Sequence, residues 1–127
     1  MKQPMRFFHN LVSVPTGTLV GNSRERILRF YAEMFNWYTI EDINQPGELI
    51  LFTEDGQQFI LLQEAEQPMV CDNEEHLGIM LSSTAEVSLL LEKIKRFKAE
   101  SDDGVNVDIL EFEEGEAGPI LITAFYV

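Results

Sequence analysis

The sequence predicts an α+β fold made of two copies of one small unit, and three observations carry that prediction. First, each of the two histidines stands in a short apolar strand: His9 in Phe7 to Val14, and His76 in Glu75 to Leu81, close to half the chain apart. Second, each strand is followed by a helix-start signal and a helical run. Asn22-Ser23-Arg24-Glu25 leads into Ile27 to Trp37, and Ser83-Thr84-Ala85-Glu86 leads into Val87 to Phe97. Third, strands come in runs after each helix rather than alternating with helices, which implies a mixed sheet with helices on one face. Two such sheets facing each other enclose a shared central cleft.

The elements follow in order. In the first strand a pleat places His9, Leu11 and Ser13 on one face and Phe8, Asn10, Val12 and Val14 on the other. Pro15, which has no N–H for a ladder, closes it. A Pro/Gly loop, 15–21, leads to the first helix, where Asn22 and Glu25 have capping-box spacing. Ile27, Leu28, Tyr31, Met34 and Phe35 recur at helical spacing as a buried stripe, with Arg24, Arg26, Arg29 and Glu33 on the wet side.

Asn36 to Ile40 has the aromatic and β-branched bias of a short strand. Glu48 to Thr53 and Gln58 to Glu64 flank Asp55-Gly56, a strong hairpin signal. The acidic stretch 65–74 links the halves. In the second half, Ser83 and Glu86 form another capping box, and Val87, Leu90, Leu91, Ile94 and Phe97 a second stripe. Two strands, 105–112 and 119–127, close the chain around an acidic turn from Glu113 to Gly118.

A chain of 127 residues with 45% apolar and 24% charged residues is the size and composition of one globular domain, residues 1–127. No apolar run reaches the roughly 18 residues of a membrane span, and the N-terminus has no signal-peptide core, so a cytoplasmic protein is expected. The single cysteine, Cys71, forms no intrachain disulfide and reads as an inert thiol. The net charge of −13 makes nucleic acid and anionic membrane poor partners.

Phe8-His9-Asn10-Leu11-Val12-Ser13-Val14, the helix text from Arg29 to Trp37, and His76-Leu77-Gly78-Ile79 together resemble the vicinal oxygen chelate superfamily. That superfamily includes glyoxalases, extradiol dioxygenases and bleomycin-resistance proteins. The resemblance implies two βαβββ modules, about 6–66 and 74–127, forming a curved mixed sheet with a central cleft for a divalent cation or a small molecule. In metal-dependent members one ligand sits on the first strand of each module and others on the last strands. His9 and His76 occupy the opening positions and would suit Zn²⁺, Ni²⁺ or Fe²⁺. The chain departs from the pattern at its end, where no acid follows Glu116. In the first module the candidates are Gln63 or Glu64, and sequence does not say which faces the cleft.

Two functions follow. One is a small-molecule-binding protein without a complete metal site, its cleft lined by His9, Trp37, Phe52, Phe59, His76, Met80 and Tyr126. The other is a divalent-metal-dependent lyase, isomerase or dioxygenase in which His9 and His76 hold the metal and Glu64 moves protons. In either case the partner is a small-molecule ligand and the assembly a homodimer, because closing an open sheet edge favours pairing.

Overall fold

A computed structural model describes residues 5–70 and 78–100, and the backbone alone of 110–117 and 120–126. The fold is α+β, in two compact units, Met1–Glu75 and His76–Val127. In the first unit, strand β1 (His9–Pro15) leads through the 16–20 loop to helix α1 (Gly21–Phe35). A 3-10 turn at Glu41–Ile43 precedes strands β2 (Glu48–Phe52) and β3 (Phe59–Ala65). The sheet order is β1-β3-β2, with β1 parallel and β2 antiparallel to β3. This is the mixed sheet that the strand runs imply.

The phase of the pleat is set by what α1 covers. Leu19, Leu49, Leu51 and Leu62 form the buried cluster, and Val12, Val14, Ile27, Leu28, Tyr31, Trp37 and Ile60 pack around it. Leu49 and Leu51 alternate with half-buried Glu48, Ile50 and Phe52 along β2. Burial of a leucine contributes about 1.5–3 kcal/mol. A one-residue slip would carry this whole leucine set to the opposite face, so the cluster locks the register.

The N-terminal end of α1 differs from the sequence expectation. The Asn22–Glu25 capping box does not form. Extended Val20 is the N-cap, without a side-chain cap bond, and Gly21 at φ +54° turns the chain into the helix before Asn22 is reached. On the wet side Arg29 pairs with Glu33 at 3.0 Å and Arg24 with Glu41 at 2.7 Å. At the C-terminus Asn36 adopts the left-handed conformation, φ 61° and ψ 28°, and donates its N–H to the Ala32 carbonyl. Trp37 then donates to the Tyr31 carbonyl and stacks on the Tyr31 ring, centroids 5.5 Å apart.

The expected strand at 36–40 shrinks to a single bridge, Tyr38 to Phe52, with N–H···O distances of 3.1 and 2.7 Å. Asn44 completes that edge: its Oδ1 accepts from the Ile50 N–H and its Nδ2 donates to Thr39. The Asp55-Gly56 hairpin is present. Gly56 at φ +68° donates to the Thr53 carbonyl, a backbone conformation that favours glycine, and the Tyr38 hydroxyl oxygen lies 2.8 Å from where a Cβ would stand.

In the second unit, residues 78–81 carry no regular structure, and the first part of the expected strand around His76 lies outside the described residues. Helix α2 (Thr84–Glu100) starts at the expected cap: the Glu86 N–H donates to Ser83 Oγ, and the Glu86 carboxylate accepts from the Ser82 N–H at 2.9 Å. Leu91, Ile94 and Phe97 are its buried stripe. Strands β4 (Leu110–Ala117) and β5 (Ile120–Tyr126) pair antiparallel, and α2 lies against β5. The acidic residues Glu113, Glu114 and Glu116, expected in a turn, belong to β4. The ladder runs on to the pair Ala117–Ile120.

At the hairpin tip the Asp55 carboxylate accepts from the Gln57 N–H and the Thr53 hydroxyl, and these bonds hold its pKa below the ordinary 3.8. The ionised form is the bonded one, so its stabilisation is present above the unfolded-state pKa and is lost as pH falls through the lower folded value. Thr53→Ala is expected to raise the Asp55 titration midpoint toward 3.8 without reaching it, because the larger Gln57 contribution stays; carbon-detected NMR titration of the side-chain carboxyl reads the shift.

Candidate functional site

With α1 on the leucine face, the other face of the first unit's sheet carries His9, Leu11, Ser13, Phe59, Leu61, Gln63, Glu48, Ile50 and Phe52, by strand alternation. These side chains fall into rows because residues directly opposite across a ladder point the same way. Tyr38 pairs with Phe52, Phe52 with Phe59, and Phe59 with His9. The result is a row of four rings set across the strands. Tyr38 and Phe52 are stacked with centroids 5.6 Å apart, Phe52 and Phe59 are tilted at 5.6 Å, and His9 lies flat on Phe59 at 4.8 Å and 3°. Phe8 adds an edge-on contact to both Phe59 and His9.

The next row is aliphatic, Ile50-Leu61-Leu11, and the third polar, Glu48-Gln63-Ser13. Ser13 Oγ accepts from the Met69 N–H at 2.7 Å, which ties the segment after β3 to the polar end. The described residues of this unit place no helix over these rows. Aromatic walls with a few polar groups at one end are how small organic molecules are bound.

Several expected site residues fall elsewhere. Glu64 stands one residue out of phase with His9's row, on the helix side of β3, where its Oε1 accepts from the Leu19 N–H at 2.7 Å. Its carboxylate therefore tethers the 16–20 loop to the core, and it is Gln63, not Glu64, that shares a face with His9. Within this unit Glu64 and His9 therefore stand on opposite faces of the sheet. Trp37 is likewise on the helix side, packed on the leucine cluster, because the left-handed Asn36 folds it back onto Tyr31. Its place among the open-face rings is taken by Tyr38.

Phe52 and Phe59 lie on the open face, in one row with His9. Met80 is 95% exposed in the second unit. Tyr126 ends β5 opposite Leu110, its side chain outside the described set, and His76 and Cys71 lie outside the described residues. Tyr38 is the residue that sequence reasoning missed. The signal was available as its adjacency to Trp37, since neighbours in an extended segment point to opposite faces.

A divalent metal finds little here. On the last strand of this unit, the residue directly beside His9 is Phe59, whose ring covers the imidazole face, and no group of three or more His, Cys, Asp or Glu side chains suited to a metal occurs among the described residues.

No protein-family model and no curated protein matches the chain. Among solved structures it is similar to an integron cassette protein from the mobile metagenome of V. cholerae, with a TM-score of 0.58 and 14% identity over 99% of this chain and 88% of that one. It is also similar to a protein from the mobile metagenome of V. pseudocholerae, with a TM-score of 0.56 and 14% identity over 99% of this chain and 87% of the other. At that identity the likeness is one of fold alone. No helix among the described residues is long and apolar enough to cross a membrane.

The tether makes a direct prediction. Glu64→Leu is expected to lower stability by about 1–2 kcal/mol, the range for losing a charge-assisted hydrogen bond, and to speed amide exchange at Leu19. Urea denaturation with hydrogen-exchange NMR checks it; unchanged exchange at Leu19 would contradict the tether.

Proposed function

We propose that the protein binds a small organic molecule on the open face of its first sheet and belongs to the glyoxalase and bleomycin-resistance superfamily, as a member without a complete metal site. In this reading the two units are βαβββ modules of a curved mixed sheet with a central cleft, and the chain works as a cytoplasmic homodimer. One observation carries the binding role: the cross-strand row of rings Tyr38-Phe52-Phe59-His9, backed by the leucine core. Rings arranged this way offer stacking and edge contacts to a planar guest, each worth about 0.5–1.5 kcal/mol beyond area burial. Because the row is built on paired backbone rather than loops, little conformational entropy is lost when the guest arrives.

A second reading is a divalent-metal-dependent lyase, isomerase or dioxygenase with His9 and His76 as ligands. The observation favouring it is that His9 is exposed on that same face. Elemental analysis of protein purified without chelator separates the two readings. The binding role expects no stoichiometric transition metal, whereas zinc, nickel or iron at one per chain, lost in a His9→Ala/His76→Ala variant, would favour the enzyme.

The binding role is tested with dansylamide, a flat neutral fluorophore. Fluorescence titration is expected to show saturable binding, with amide shifts in NMR spectra clustered at Tyr38, Phe52, Phe59 and His9. Phe59→Leu is expected to weaken binding about tenfold or more, since it removes the ring that touches both neighbours in the row. An unchanged affinity in that variant, or shifts confined to α1, would contradict the proposal.

A further inference from the structure

The hairpin that carries Phe52 and Phe59 turns on Asp55-Gly56, and this pair has a chemistry of its own. An aspartate followed by glycine is open to succinimide formation, because no side chain shields the glycine nitrogen from the neighbouring carboxyl. Asp55 is exposed at the hairpin tip. The turn nevertheless engages both reacting groups. The Gly56 N–H donates to the Thr53 carbonyl at 2.8 Å, while the Asp55 carboxylate accepts from the Gln57 N–H at 3.0 Å and from the Thr53 hydroxyl at 2.7 Å.

We propose that Asp55 is a site of spontaneous covalent modification, rearranging to isoaspartate through a succinimide, and that the bonds from Thr53 and Gln57 hold the reaction back while the hairpin is closed. In the first step the Gly56 nitrogen loses its proton and bonds to Asp55 Cγ; a C–O bond of the protonated carboxyl breaks, and its oxygen leaves as water. In the second step water adds back to the imide. Hydrolysis at Cγ restores aspartate, whereas hydrolysis at the main-chain carbonyl carbon of Asp55 leaves Gly56 joined through the side-chain carbon, which is isoaspartate. The water lost is the water regained, so the product is an isomer and no oxidant or co-reactant is needed.

The closed turn opposes the first step in two ways. Gly56 must give up the Thr53 carbonyl, and the Asp55 carboxyl must leave the Gln57 N–H and turn toward Gly56. An ionised carboxylate is also a poor target for attack, and the same bonds from Gln57 and Thr53 favour the ionised form. Thr53 is the centre of the restraint: its carbonyl holds Gly56, its hydroxyl holds Asp55, and that hydroxyl also accepts from the Gln58 N–H at 3.2 Å. Local opening of the tip removes every restraint together. The product, in turn, does not fit the closed turn. Isoaspartate adds a methylene to the main chain between Thr53 and Gly56, and the Tyr38 hydroxyl oxygen lies 2.8 Å from where a Gly56 Cβ would stand. Modification therefore loosens the Tyr38 end of the ring row, whatever that row binds.

The test incubates the full chain at neutral pH, native and in urea. Isoaspartate is counted by peptide mapping with electron-transfer fragmentation, which separates it from aspartate of equal mass. Asp103-Gly104 is the other Asp-Gly pair of the sequence, and incubation continues until it has rearranged in urea. Asp55 is expected to rearrange in urea as well, and at least about tenfold more slowly in the native chain. Thr53→Ala is expected to raise the native rate about threefold or more, and Thr53→Ser, which keeps the hydroxyl, to leave it near that of the natural chain.

Asp55 unreacted in urea after Asp103 has rearranged would overturn the site. Equal Asp55 rates in the native chain and in urea would overturn the restraint, and neither comparison needs a variant. Equal native rates in Thr53→Ala and Thr53→Ser would contradict the part given to the Thr53 hydroxyl.

Discussion

The packing of α1 onto Leu49, Leu51 and Leu62 is the constraint from which the rest of the first unit follows. A sheet three strands wide has two faces, and an amphipathic helix can cover one. Once the leucines are committed to the helix, every alternate residue is committed to the other side, and the cross-strand register then decides which of those residues are neighbours. Tyr38, Phe52, Phe59 and His9 stand in one row because three successive pairings place them there. None of the four was brought together by proximity in sequence. The face opposite the core is thus as firmly specified as the core, although its side chains contribute less to stability.

A second, smaller device decides the composition of that row. Asn36 takes the left-handed conformation at the end of α1, and the reversal folds Trp37 against Tyr31 and the core. Tyr38 then emerges on the far side, where it bridges Phe52 and passes over Gly56. Asn is the non-glycine residue that tolerates this conformation best, since its short side chain bonds locally. Here its Nδ2 donates to Glu54 at 2.9 Å, tying the helix end to the hairpin.

Much of this was legible in the sequence. The alternation of Glu48 to Phe52, the Asp55-Gly56 turn and the helical spacing of Ile27, Leu28 and Tyr31 gave the strands, the hairpin and the helix, and the Ser83–Glu86 cap gave the start of α2. His9 sharing a face with Leu11 and Ser13 also follows from alternation alone. The phase of β3 does not. Phe59 to Glu64 is apolar almost throughout, so periodicity could not say whether Gln63 or Glu64 shared the side of His9. Tertiary packing settles it by burying Leu62 and turning Glu64 to the Leu19 amide. The side of Trp37 is hidden in the sequence for a related reason: a large aromatic at a helix end suits a cleft or a core equally, and only the backbone conformation of Asn36 distinguishes them.

The central claim is that the rings of Tyr38, Phe52, Phe59 and His9 form one continuous row while Trp37 lies on the opposite face. Side-chain NOE spectroscopy of the chain in solution measures this most directly. The account predicts NOEs from the His9 imidazole to Phe59, from Phe59 to Phe52 and from Phe52 to Tyr38, with Trp37 connected to Tyr31 and the buried leucines. NOEs joining Trp37 to Phe52, or His9 to Leu62, would place the faces the other way round and contradict it.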